Sequence, residues 1–130
     1  MPARQRHILA VNDSDEVLTI FRLLLEEEGY RVTTQKYMFK DMDGIRELKP
    51  DLIILDYMWA GDDGGWSMLQ MLRMDRTTAK TPIVLCTGAK KEVADLGDRL
   101  THQNVRVVLK PFDIDELIGV IAEALSPAHD

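Results

Sequence analysis

The sequence predicts an α/β fold: a five-stranded parallel sheet in the order 2-1-3-4-5 with helices on both faces. Three observations carry this. Strand-like and helix-like runs alternate along the chain, which implies parallel strands joined by crossover helices. Three strand runs, Ile8-Leu9-Ala10-Val11, Leu52-Ile53-Ile54-Leu55 and Ile83-Val84-Leu85-Cys86, are continuously apolar, as strands covered on both faces are. The other two contain polar residues, Arg31, Thr33 and Thr34 in the second and Arg106 in the fifth, and belong at the edges.

The elements follow in order. Strand one ends on Asn12-Asp13. A helix over 14–28 places Val17, Ile20, Phe21, Leu24 and Leu25 at helical spacing; Asp13 or Ser14 can cap its start and Gly29 its end. Residues 30–34 form the short second strand. A weaker helix over 38–48 is ended by Pro50. Strand three ends on Asp56, and a helix from Gly65 or Trp66 to Met74 follows a loop. Strand four ends on Thr87, a fourth helix covers 90–100, and strand five runs from Val105 to Leu109 and stops at Lys110-Pro111. Asp113-Ile114-Asp115-Glu116 is a capping box for a fifth helix, with Leu117, Val120, Ile121, Ala124 and Leu125 as its apolar face. The expected domain is single and spans 1–130, with a core over about 7–125 and a frayed tail at 126–130.

Composition excludes several classes. Of the 130 residues 45% are hydrophobic and 29% charged, ordinary for a globular protein. A net charge of −6 without a basic run disfavours nucleic-acid binding by this domain. No apolar stretch is long enough to span a membrane and the N-terminus has no signal-peptide core, so the expected location is the cytoplasm. Cys86 is the sole cysteine, which rules out an internal disulfide, and a buried inert thiol is expected. The histidines are scattered: His7 precedes strand one, at the end of the sheet opposite the polar strand ends, and His102 and His129 read as surface residues.

The polar strand ends carry the chemistry. In a parallel α/β sheet the carboxyl ends of the strands open onto one edge, and ligands bind there at the point where strand order reverses. That point falls between strands one and three, which end in Asn12, Asp13 and Asp56. Thr87 and Lys110 end the next two strands. Singly, Asp13 reads as a helix cap, Asp56 and Thr87 as strand-end residues and Lys110 as a solvated lysine. Together, two carboxylates, an amide, a hydroxyl and an ammonium suit a divalent cation with a phosphoryl group: carboxylates and waters bind Mg²⁺, and the ammonium offsets phosphoryl charge.

With these motifs in place, the chain resembles the receiver domain of bacterial response regulators, from about His7 to Leu125. Ile8 to Asp13 resembles the family's first strand and acidic pair. Pro50 to Met58 resembles the strand bearing the phosphoacceptor. Thr81 to Gly88 is similar to the strand ending in Thr or Ser before a small residue, and Leu109-Lys110-Pro111-Phe112 to the Lys-Pro-Phe turn. The resemblance implies the same flavodoxin-like strand order. It implies that Asp56 accepts a phosphoryl group, that Asp13, Asp56 and the backbone carbonyl of Met58 bind Mg²⁺, and that Thr87 and Lys110 contact the phosphoryl group. The implied function is a phosphoacceptor module of a two-component phosphorelay, not an enzyme. Its implied partners are a histidine kinase or phosphotransfer protein and a downstream protein that meets the fourth helix, fifth strand and fifth helix.

The sequence departs from the family pattern at two site positions. Asn12 stands where a second acidic residue is usual; its amide can reach the metal through water but brings no charge. Val107 occupies the switch position on strand five, where an aromatic is common. The segment 58–66 is slightly long and lacks the customary proline. Its Asp62 and Asp63 read as solvated loop residues, and Trp59 and Trp66 as packing residues. Asn12 and Val107 prompt an alternative, a phosphorylation-independent (pseudo-receiver) interaction module on the same fold. Flavin binding is disfavoured because the acidic loop Asn12-Asp13-Ser14-Asp15 repels phosphate.

Overall fold

The continuously apolar runs form the centre of the sheet. A computed structural model describes residues 5–12, 14–36, 43–56, 64–87, 104–109 and 113–125, with the backbone alone for Asp56, residues 64–68 and Thr87. The strands are β1 (His7–Val11), β2 (Arg31–Gln35), β3 (Leu52–Asp56), β4 (Ile83–Thr87) and β5 (Val105–Leu109); the helices are α1 (Asp15–Glu27), α2 (Asp43–Leu48), α3 (Gly64–Met74) and α4 (Ile114–Leu125). All strand pairs are parallel, in the order β2-β1-β3-β4-β5. The polar strands β2 and β5 are at the edges, as expected. The helix expected over 90–100 and the first residues of the one expected over 38–48 lie outside the described residues.

Period-two alternation divides the core. Leu9, Val11, Ile53, Leu55, Ile83 and Leu85 pack with Ile45 of α2 and with Leu69 and Leu72 of α3. Ile8, Ala10, Leu52, Ile54, Val84 and Cys86 pack on the opposite face with Leu18, Phe21 and Leu25 of α1 and with Leu117 and Ile121 of α4. Cys86 is buried, as expected. Leu25, Ile54 and Leu117 are completely buried; truncating a side chain of this kind costs roughly 2–5 kcal/mol, because a cavity is added to the lost transfer free energy.

The ends of α1 show why it stops where it does. Ser14 caps the start, its Oγ accepting the Val17 N–H at 3.3 Å. At the other end the Gly29 N–H donates to Glu26 O at 3.0 Å and the Tyr30 N–H to Leu25 O at 3.1 Å. This paired closure needs a left-handed residue, and Gly29 supplies it with φ +97°.

His7 is the first residue of β1 rather than a residue ahead of it, and it is buried. Its Nδ1 lies 2.9 Å from Leu48 O, its Nε2 2.6 Å from Thr33 Oγ1, and its backbone N–H donates to Asp51 Oδ2 at 2.8 Å. The imidazole thereby ties β1 to β2 and to the end of α2. The same end of the sheet holds two arginine clamps. Arg73 of α3 donates to Thr78 O at 2.9 Å, Thr81 O at 2.8 Å and Asn104 O at 3.4 Å, and burial lowers its pKa. Arg46 of α2 donates from Nε to Asp75 Oδ2 at 2.9 Å, with Nη2 pairing to the same oxygen, while Asp75 Oδ1 accepts from Thr77.

Two measurements check this account. Gly119, within α4, is exposed with open space around the position of a β-carbon. Gly119→Ala should therefore raise stability by about 0.5–1 kcal/mol, whereas Gly29→Ala should lower it by about 1 kcal/mol through its positive φ. Urea unfolding in which both substitutions move stability in the same direction would contradict it. The second concerns acid. Hydrogen bonds from Arg46 and then Thr77 hold the Asp75 carboxyl well below its ordinary value of 3.8. A depressed folded-state pKa contributes stability above the unfolded value and loses it as pH falls toward the folded one. Asp75→Asn should thus be less stable than wild type at pH 7, with the gap narrowing below pH 3.8; a gap independent of pH would exclude the carboxylate as its source.

Candidate functional site

The carboxyl edge of the sheet gathers the polar strand ends through register alone. Val11 is level with Leu55, so the next residues, Asn12 and Asp56, leave adjacent strands side by side. Asp56 pairs with Cys86, and Thr87, one residue on, pairs with Leu109. The ends of β1, β3, β4 and β5 therefore form one row. The strand order reverses between β1 and β3, where Asn12 and Asp56 stand. Asp13, Met58 and Lys110 lie outside the described residues, as do Trp59, Asp62, Asp63 and the tail from 126. The side chains of Asp56, Thr87 and Trp66 are likewise not described.

Asn12 is the best-defined side chain at this edge. It is buried, its N–H donates to Gln35 O at 3.1 Å, and its Oδ1 accepts the Ser14 N–H at 2.8 Å. The second bond closes an Asx turn, the local alternative to secondary structure that Asn and Asp offer. It leads directly into the Ser14 cap of α1. Asn12 thus shapes the loop between β1 and α1, a role not expected from the sequence.

The loop's charge is partly balanced. Asp15 begins α1, where a carboxylate complements the helix dipole. Lys36, directly after β2, places Nζ 3.2 Å from Asp15 Oδ2. Sequence reasoning missed this lysine because it ended the second strand at 34; with the strand ending at Gln35, Lys36 is its carboxyl-end residue in the same sense as the others. Val107 is half-buried and packs against the core shared with α2 and α3, level with Leu85 of β4. Its β-branch leaves it stiff at χ1.

The donor chemistry of this row suits a hard cation: Asn12 and Asp56 offer oxygen, and no sulfur or imidazole donor intrudes among the described residues at the switch point. Among the described residues no group of three or more His, Cys, Asp or Glu is arranged to hold a metal, and no helix is long and apolar enough to cross a membrane.

Residues 8–122 match the family model of the response regulator receiver domain. The chain belongs to that family. Receiver domains are the phosphoacceptor modules of two-component signalling, and the five-stranded sheet is their fold. This receiver domain is 35% identical over 120 residues to the uncharacterized transcriptional regulatory protein YkoG of Bacillus subtilis (strain 168), a match covering 92% of the chain and 50% of YkoG. The chain spans about half the length of the curated relatives it matches. In structure it is similar to the N-terminal signal receiver domain of a two-component response regulator from Bacteroides fragilis, with TM-score 0.75 and 27% identity, covering 96% of this chain and 100% of that one. It shares its fold with the receiver domain of the sensor histidine kinase PA1611 from Pseudomonas aeruginosa PAO1, solved with a magnesium ion coordinated in its active-site cleft. There the TM-score is 0.73 and the identity 23%, covering 94% of this chain and 98% of that one.

The Asx turn of this receiver domain gives a direct test. Asn12→Ala leaves the Ser14 N–H without its acceptor and should cost about 1 kcal/mol, whereas Asn12→Asp keeps an acceptor and most of the stability. Equal losses in urea unfolding would show that the bond does not hold the loop.

Proposed function

We propose that this receiver domain accepts a phosphoryl group on Asp56. The phosphoryl donor is a histidine kinase or phosphotransfer protein, and the domain is read as a single cytoplasmic unit over 1–130. The supporting observation is the register that brings the ends of β1 and β3 together at the switch point, with Asn12 beside Asp56. A carboxylate oxygen of Asp56 attacks phosphorus, the P–N bond to the donor imidazole breaks, and an acyl phosphate forms. Asp13, Asp56 and the Met58 carbonyl would hold Mg²⁺, with Asn12 reaching it through water. When bound, the ion offsets the charge of the transferring phosphoryl group. Lys110 offsets that charge from the other side, and Thr87 donates its hydroxyl to the phosphoryl oxygen and carries the change to the following segment.

Output runs through β5 and α4 together with the helix expected over 90–100, where a downstream protein would bind. Val107 contributes no rotamer switch: its short side chain already packs into the core. The signal therefore rests on the segment after Thr87.

Intact mass after incubation with Mg²⁺ and a small phosphodonor tests the assignment. Wild type should gain one phosphoryl group and Asp56→Asn none. Equal modification of both would remove Asp56 from the role.

A further inference from the structure

Lys36 has no place in the chemistry derived so far, yet it is built into the edge where that chemistry is read. The carbonyl of Gln35 accepts the Asn12 N–H at 3.1 Å, which fixes the end of β2 to the end of β1. Lys36 is the next residue. Its Nζ lies 3.2 Å from Asp15 Oδ2 at the start of α1, and the chain between Asn12 and Asp15 is closed by the bond from the Ser14 N–H to Asn12 Oδ1 at 2.8 Å. The ammonium therefore stands at the start of α1, next to the turn that Asn12 closes. The lysine and aspartate side chains are 42% and 76% exposed, so the pair contributes little to stability and its field reaches through solvent.

We propose that Lys36 restrains cation binding at this site: its positive charge, held at the β1–α1 loop by Asp15, lowers the affinity for Mg²⁺. The inference rests on the metal reading given above. It adds to the effect of Asn12, which leaves the loop one carboxylate short of the family pattern. A single charge within one Debye length of a divalent ion changes its affinity by roughly threefold at low salt.

Calorimetric titration of the full chain with MgCl₂ tests this on wild type, Lys36→Gln, Lys36→Arg, Asp15→Asn and Asn12→Asp. Lys36→Gln should bind Mg²⁺ about threefold more tightly than wild type at low ionic strength, and the gain should vanish in 1 M KCl, where the Debye length is about 3 Å. Lys36→Arg, which keeps the charge, should match wild type, and Asp15→Asn should bind more weakly. A merely structural role would produce neither the loss of the gain in salt nor the rescue by arginine. Equal affinity of wild type and Lys36→Gln at low salt, or a gain that persists in 1 M KCl, overturns the role of Lys36 alone. Absence of Mg²⁺ binding in every variant, Asn12→Asp included, overturns the metal reading together with it.

Discussion

Burial of the parallel ladder on both faces is the constraint on which the rest depends. β1, β3 and β4 lie between α1 and α4 on one face and α2 and α3 on the other, and the described side chains along β3 and β4, with their apolar counterparts in β1, have almost no contact with water. A polar side chain placed midway along these strands would need a partner inside the core. Polar residues are thus confined to the strand ends. Parallel strands all point the same way, so those ends are brought to common edges. The binding edge follows from the same rule that keeps the core dry.

This explains why so much was legible in sequence. The runs Leu52 to Leu55 and Ile83 to Cys86 announce central strands, and Arg31, Thr33 and Arg106 announce edges, because burial is a property of each residue in turn. The row of Asn12, Asp56 and Thr87 follows from asking where each apolar run stops. The register brings the ends of β1, β3 and β4 into that row, while the roles of its residues, like those of Asp13, Met58 and Lys110, rest on the resemblance.

What was not legible depends on partners distant along the chain. His7 reads as a residue ahead of a strand until Thr33, Leu48 and Asp51 converge on it from distant parts of the sequence. Arg46 and Asp75 likewise meet only after α2 and α3 are placed. Between Asp13 and Ser14 the sequence left the capping choice open; Ser14 makes the capping bond to Val17. The turn at Asn12 was missed for a different reason. Asn in a loop has several local hydrogen bonds available, and backbone geometry selects among them.

The Arg73 clamp bears on how β5 finds its place. The connection from β4 to β5 spans residues 88–104, and closing a long connection costs conformational entropy that rises slowly with its length. Asn104 receives the returning chain: its carbonyl accepts from Ile83 N–H at 3.3 Å and from Arg73 at 3.4 Å, and its φ of 58° turns the backbone into the strand. Asn is among the few residues that adopt this conformation readily. The landing point of β5 is thus specified by α3, β4 and one asparagine. Natural variation in the length or composition of the intervening segment can accumulate without shifting the strand that follows it.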